Sequence, residues 1–210
     1  MTGIILAGGR SDRMGQNKAF LSLDGRTLIS IVGDLFRRLF PEVIIVTNSP
    51  REYLQLDAHL VTDMYVGRGA LGGIYSGLFF SSYPFAFVSA CDMPFIREEA
   101  IQQLIGLKEG FDVVIPERET GVEPMHAVYS KNCLKPIRSQ LDQNNLKIID
   151  FFPQVRVRKV PAQALAGWED NGLLFFNINS PQDLHWAEEH VLRRRETKPG
   201  GGSPFPGKTL

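Results

Sequence analysis

The residues best equipped for chemistry stand at the start of the chain: Gly8-Gly9, then Arg10, Arg13 and Lys18. They follow a short apolar run, Ile4-Ile5-Leu6. A buried strand that breaks at paired glycines gains backbone freedom and exposed N–H groups. Cations held close behind it can neutralise anionic oxygens. Together these features suit a polyphosphate. The order is neither G-x-G-x-x-G nor, at this end of the chain, G-x-x-x-x-G-K-[ST]. A plain polar loop could also carry the glycine pair, so the rest of the chain has to decide.

Three more apolar runs end in polar groups. Val43-Ile44-Ile45-Val46 leads to Asn48, Leu60-Val61-Thr62 to Asp63, and Phe85 to Ser89 leads to Asp92. If these strands are parallel to the first, all four ends share one rim, where open α/β sheets bind ligands. Asp92, in Cys91-Asp92-Met93-Pro94, suits Mg²⁺, which takes one or two carboxylates beside phosphate oxygens. An aspartate there could equally open a turn or cap a helix. Asp63 precedes a glycine-rich stretch, Gly67 to Gly73, and also fits a turn. Asn48 can read a base or ribose, yet is a common turn residue.

The elements that must position these groups alternate strand and helix. Leu28, Ile31, Val32, Leu35, Phe36 and Leu39 trace one helical stripe from about Thr27, stopped by Pro41. Further helices are expected from Gly69 through Phe79, over Glu98 to Leu107 and over Cys133 to Leu141. Short strands are expected at Phe20–Leu23, Val113–Ile115, Ala127–Tyr129, Val155–Val160 and Leu173–Ile178. Ser180-Pro181-Gln182-Asp183 starts a last helix, with a serine cap, proline first, and an acid three residues after the cap. Strand–helix–strand order predicts an α/β fold with a mostly parallel, mixed sheet.

Composition bounds the rest. A chain of 210 residues, 43% hydrophobic and 22% charged, is ordinary for one globular domain. We assign 1–195 to that domain, with halves at about 1–110 and 111–195, and 196–210 to a disordered tail. Net charge is zero, which argues against nucleic-acid binding by bulk electrostatics. Cys91 and Cys133 lack metal spacing, and Cys91 reads as a buried thiol. The first strand begins at once, leaving no room for a signal peptide, and no apolar run reaches about 18 residues. A cytoplasmic protein without membrane contact is expected. Gly202 to Thr209 satisfies the P-loop pattern on paper, but it holds two prolines and lacks a preceding strand.

Read in full, Leu6-Ala7-Gly8-Gly9, four residues, Arg13-Met14-Gly15, two residues and Lys18 resembles the signature of nucleotide-diphospho-sugar transferases. It most resembles the molybdenum cofactor guanylyltransferases. The likeness spans about residues 3–190 and implies a Rossmann-like three-layer sandwich. It implies transfer of GMP from GTP to molybdopterin or molybdenum-molybdopterin, with Mg²⁺ as cofactor. Molybdoenzymes or other cofactor-biosynthesis proteins would be further partners. Leu6, Ala7, Gly8, Gly9, Lys18, Asn48, Asp63, Gly69, Leu71, Gly73 and Asp92 would bind nucleotide. Lys18, Arg13 and Asp92 would be catalytic, with Asp92 on the metal. Ala70 and Gly72 depart from the family's Gly-Pro-Leu-Ala-Gly segment. The implied acceptor side holds Arg118, Glu123, His126, Lys147, Asn177 and Asn179. Competing readings are a cytidylyltransferase for the same cofactor, a sugar-1-phosphate nucleotidyltransferase, and a non-catalytic nucleotide-binding partner of a molybdoenzyme.

Overall fold

Runs such as Ile4-Ile5-Leu6 and Val43-Ile44-Ile45-Val46 are apolar at every position, so they must be covered on both faces. The computed structural model, which describes residues 1–8, 17–165 and 173–197 (backbone only from 194), covers them with helices on either side. The first strand, β1 (Thr2–Leu6), alternates its side chains between two cores. Ile5 joins Val32, Phe36, Ile45, Phe87 and Ile101 on one face. Ile4 and Leu6 join Ile44, Ile74, Leu78, Val88 and Ile137 on the other. The result is the expected three-layer sandwich.

In chain order the strands are β1, β2 (Ser22–Leu23), β3 (Arg26–Thr27), β4 (Glu42–Val46), β5 (His59–Val61), β6 (Phe85–Ala90), β7 (Val113–Arg118), β8 (Gly121–Val122), β9 (His126–Ser130) and β10 (Val157–Pro161). The main sheet runs β10-β7-β9-β6-β1-β4-β5, with β8 on the end of β7. β1 is parallel to both β4 and β6, and β4 to β5. β9 is antiparallel to its neighbours β6 and β7. The sheet is therefore mixed and mostly parallel, as anticipated. The ends of β1, β4, β5 and β6 do fall on one rim.

The helices are α1 (Leu28–Leu39), α2 (Gly69–Phe80), α3 (Glu98–Gly106), α4 (Leu134–Asp142) and α5 (Pro181–Thr197). Thr27 caps α1, accepting from the Ser30 N–H at 3.3 Å. α5 opens on the expected capping box: Ser180 Oγ accepts from the Asp183 N–H at 3.2 Å, and Asp183 Oδ2 from the Ser180 N–H at 2.8 Å. The helix closes a third small core over the β2–β3 hairpin through Ala187 and Val191, against Leu23, Leu28 and Ile31.

Some expectations give way. Only Ser22–Leu23 of the expected Phe20–Leu23 strand is extended, because Lys18–Phe20 forms a 3₁₀ turn. The expected strand over Leu173–Ile178 is a 3₁₀ turn, Leu173–Phe175, followed by extended chain outside the sheet. Its residues are apolar because they pack at the sheet's edge of the core, not because they pair. α5 extends to Thr197, two residues into the expected tail, and 198–210 lie outside the described residues.

The glycines of α2 set how closely that helix meets β1. A methyl group on Gly77 would lie 2.7 Å from Ile4 Cγ2, and Ile4 is fully buried. Ala is the better helix former by about 1 kcal/mol, but overpacking a closed core costs about 1–3 kcal/mol. We expect Gly77→Ala to be destabilising by up to about 2 kcal/mol, the difference of those effects, as read by urea unfolding. An unchanged midpoint would show that the α2–β1 spacing is not tight.

Candidate active site

The rim formed by the four parallel strands holds a cleft of about 860 Å³. Leu6, Ala7 and Gly8 form its floor, with Asn48 and Asp63 at the ends of β4 and β5. Gly69 and Gly73, on the first turn of α2, form the opposite wall. A second hollow of about 140 Å³ adjoins it, sharing Leu6, Ala7, Gly8, Asn17 and Ala70. Lys18, Ala90, Cys91, Asp92 and Met125 complete the second hollow. Leu6, Ala7, Gly8, Lys18, Asn48, Asp63, Gly69, Gly73 and Asp92 thus line two adjoining hollows. Gly9 and Arg13 lie outside the described residues.

The glycines act differently from one another. Gly69 has φ +62° and open space where a side chain would be, so it serves the turn into α2. A methyl on Gly73 would press on Leu6 at 3.2 Å, so Gly73 lets the helix sit against β1. Leu71 is fully buried in the core between α2 and the sheet and lines neither hollow. Helical periodicity turns it away from the rim, against expectation.

Asp63 is anchored: its Oδ1 accepts from the Tyr65 N–H and from Ser76 Oγ, each at 2.9 Å. One edge of the carboxylate is thereby fixed to α2 while the residue still lines the cleft. Asp92 is held less completely. Its Oδ2 lies 3.8 Å from Lys18 Nζ, while Oδ1 is buried with no hydrogen-bond partner among the described residues. Burial raises the Asp92 pKa, and the nearby Lys18 ammonium opposes the rise. A buried anionic oxygen with no donor is a costly arrangement that a cation would relieve. Among the described residues no group of three or more His, Cys, Asp or Glu forms an all-protein cage. A lone carboxylate completed by ligand oxygens is instead the arrangement of Mg²⁺ bound with nucleotide.

The chain's last third locks this pair in place. Lys18 Nζ donates to Asn179 Oδ1 at 2.8 Å. One residue earlier, the Ile178 N–H donates to the Asp92 carbonyl at 3.0 Å. Asp183, at the start of α5, accepts from the Asn179 N–H at 2.9 Å. Asn179 is thereby joined to the small hollow through Lys18.

The other acceptor-side expectations are not brought to the hollows. Arg118 Nη1 donates to Glu123 Oε1 at 2.8 Å, and its guanidinium lies 5.7 Å from the Phe175 ring centre, so each charge is spent on the other. Lys147 is exposed and pairs with Asp150 at 3.5 Å. Asn177 Nδ2 donates to the Phe175 carbonyl at 3.0 Å, a local turn bond. His126 is fully buried. Its register opposite Ser89 turns the ring into the core, edge-on to Phe87 at 5.0 Å and Phe175 at 5.3 Å.

Sequence reasoning missed Asn17, Glu52, Tyr53 and Met125. Asn17 and Glu52 line the large cleft, and Asn17 and Met125 the small one. Asn17 sat in an unspecified position of the motif, and a cap before Lys18 was the available signal. Tyr53 reaches the site across the fold and left no local trace.

Against this geometry, residues 3–156 match the family model described as a MobA-like NTP transferase domain. The chain belongs to the MobA-like NTP transferase family. Members of it resemble this chain over nearly its whole length. A molybdenum cofactor guanylyltransferase of Desulfosudis oleivorans is 42% identical over 197 residues, 93% of this chain and 98% of that protein. A probable molybdenum cofactor guanylyltransferase of Pelotomaculum thermopropionicum is 40% identical over 183 residues, 87% and 89% of the two chains. The crystal structure of molybdopterin-guanine dinucleotide biosynthesis protein A from Archaeoglobus fulgidus superposes with a TM-score of 0.81 at 28% identity, covering 92% of this chain and all of that one. The MobA-like fold thus accounts for both the strand order and the cleft's place on the rim.

His126 also yields a pH signature. Burial lowers its pKa from 6.5 to about 3, while the unfolded chain keeps the ordinary value. The unfolded state therefore binds the extra proton first, and stability drains away as pH falls from about 6.5 towards 3. We expect His126→Leu to flatten the dependence of unfolding free energy on pH across that window. An identical slope in both proteins would mean that other groups govern acid unfolding.

Proposed function

We propose that this chain transfers GMP from GTP to molybdenum-molybdopterin, forming the guanine dinucleotide cofactor and releasing pyrophosphate. One observation supports the reading: the cleft at Asn48 and Asp63 shares Leu6, Ala7 and Gly8 with the hollow that holds the Lys18–Asp92 pair. A nucleoside triphosphate laid along it would put its phosphates at that pair. The full-length likeness to a molybdenum cofactor guanylyltransferase supports guanine and the pterin acceptor. No described helix is long and apolar enough to cross a membrane, which accords with the cytoplasmic location we propose.

In the proposed reaction a terminal phosphate oxygen of the acceptor attacks the α-phosphorus of GTP in line. The bond from that phosphorus to the bridging oxygen breaks, and pyrophosphate leaves. The attacking oxygen is already anionic, so no strong general base is needed. The main demands are alignment and compensation of charge. Lys18 supplies one fixed positive charge, oriented by Asn179. The amide of Gly8 would add a donor toward the phosphates. Mg²⁺ held by Asp92 and phosphate oxygens would supply further compensation for the departing pyrophosphate.

Two measurements test this. GTP with Mg²⁺ should raise the melting temperature more than CTP, ATP or UTP does. Equal or greater stabilisation by CTP would transfer the assignment to a cytidylyltransferase. Asp92→Asn should cut pyrophosphate release from GTP and loaded molybdopterin by about 10²-fold or more, the usual order for losing one charge-compensating group. Full turnover in that variant would remove Asp92 from the metal site.

A further inference from the structure

Tyr53 is fully buried, yet its hydroxyl sits at a meeting point of the site. It donates to the Ala7 carbonyl at 3.1 Å, at the end of β1. It accepts from Asn17 Nδ2 at 2.9 Å. Ala7 and Asn17 stand on either side of residues 9–16, so one hydroxyl joins the chain entering that segment to the chain leaving it. Asn17 commits its other amide proton and its amide oxygen as well. Nδ2 also donates to Glu52 Oε2 at 2.8 Å, and Oδ1 accepts from the Ala19 N–H at 3.1 Å. That last bond caps the 3₁₀ turn that begins with Lys18. The Tyr53 ring is held as well, 5.0 Å from Phe20 at the other end of the same turn. Burial and its surroundings push the Tyr53 pKa up to about 12, so it remains a neutral hydroxyl that both donates and accepts.

We infer that Tyr53, acting through Asn17, is a positioning residue that fixes the start of the Lys18 turn and so aims the Lys18 ammonium at the β- and γ-phosphates. Asn17 lines the cleft with both amide protons already committed, to Glu52 and to Tyr53, so its contribution is to hold the backbone. Asn179 steadies the ammonium from the far side, and Tyr53 steadies the backbone from which it extends. The inference rests on the proposed role of Lys18 toward the nucleotide phosphates.

The test compares GTP·Mg²⁺ with GMP by titration calorimetry on wild type, Tyr53→Phe, Lys18→Ala and the double variant. Phe keeps the ring against Phe20 and removes only the hydroxyl. Tyr53→Phe should weaken GTP·Mg²⁺ roughly tenfold, the scale of one buried hydrogen bond, and leave GMP within about twofold, because GMP lacks the two phosphates concerned. In the Lys18→Ala background the same change should shift GTP affinity by less than about twofold, since its route is already gone. Equal losses for GTP and GMP, or full additivity of the two substitutions, would overturn the positioning role. If Lys18→Ala alone leaves GTP binding intact, the proposed role of Lys18 fails first. Should Tyr53→Phe fold poorly, Asn17→Ala takes its place in the same cycle, with the same outcomes deciding.

Discussion

The parallel register of β1 between β4 and β6 is the constraint from which the rest of the site follows. Three strands that point one way deliver their last residues to one rim, and β5 extends that rim by one more. Backbone pairing carries on past the strands: the Ala7 N–H meets the Val46 carbonyl at 2.9 Å, and the Cys91 N–H meets the Leu6 carbonyl at 3.1 Å. The turn residues therefore leave the sheet from fixed points. Polar groups that would be ordinary on any loop become a site because hydrogen bonds set their spacing.

Close approach of α2 tightens that arrangement. The helix has glycine where β1 presents Ile4 and Leu6, so backbone packs almost directly on side chain. It is buried nearly all round, from Leu71 through Leu78. Its first turn forms one wall of the cleft with little room to shift. Asp63 pins the same helix through Ser76, joining the end of β5 to the interior of α2.

Much of this was legible in the sequence because it depends on short-range pattern. The β-branched run before Thr47-Asn48, the stripe of α1 and the cap of α5 are local statements, and the fold obeys them. The polar lining of the rim was legible for the same reason, since Asn48, Asp63 and Asp92 each stand two residues past a strand. The acceptor side was not. Arg118 and Lys147 have the chemistry to bind an anion, but their positive charges are matched by Glu123 and Asp150 within a few residues. His126 has the chemistry of a ligand, but strand register points it inward. Leu173–Phe175 has strand composition and no strand to pair with. Each of these depends on what lies across the fold, and Tyr53, whose partners lie 36 and 46 residues away, depends on it most.

The bond between Lys18 and Asn179 closes a span of 161 residues. Closing so long a loop costs chain entropy that only a largely formed structure can offset. The cation of the first loop can thus gain its oriented partner only late in folding. During synthesis the nucleotide cleft is encoded in full long before residue 179 is translated. A nascent or truncated chain ending short of that point would encode the rim cleft and lack the Asn179 clamp on its lysine. Coupling the two ends of the chain at its reactive centre makes completeness of the polypeptide a condition for a finished site.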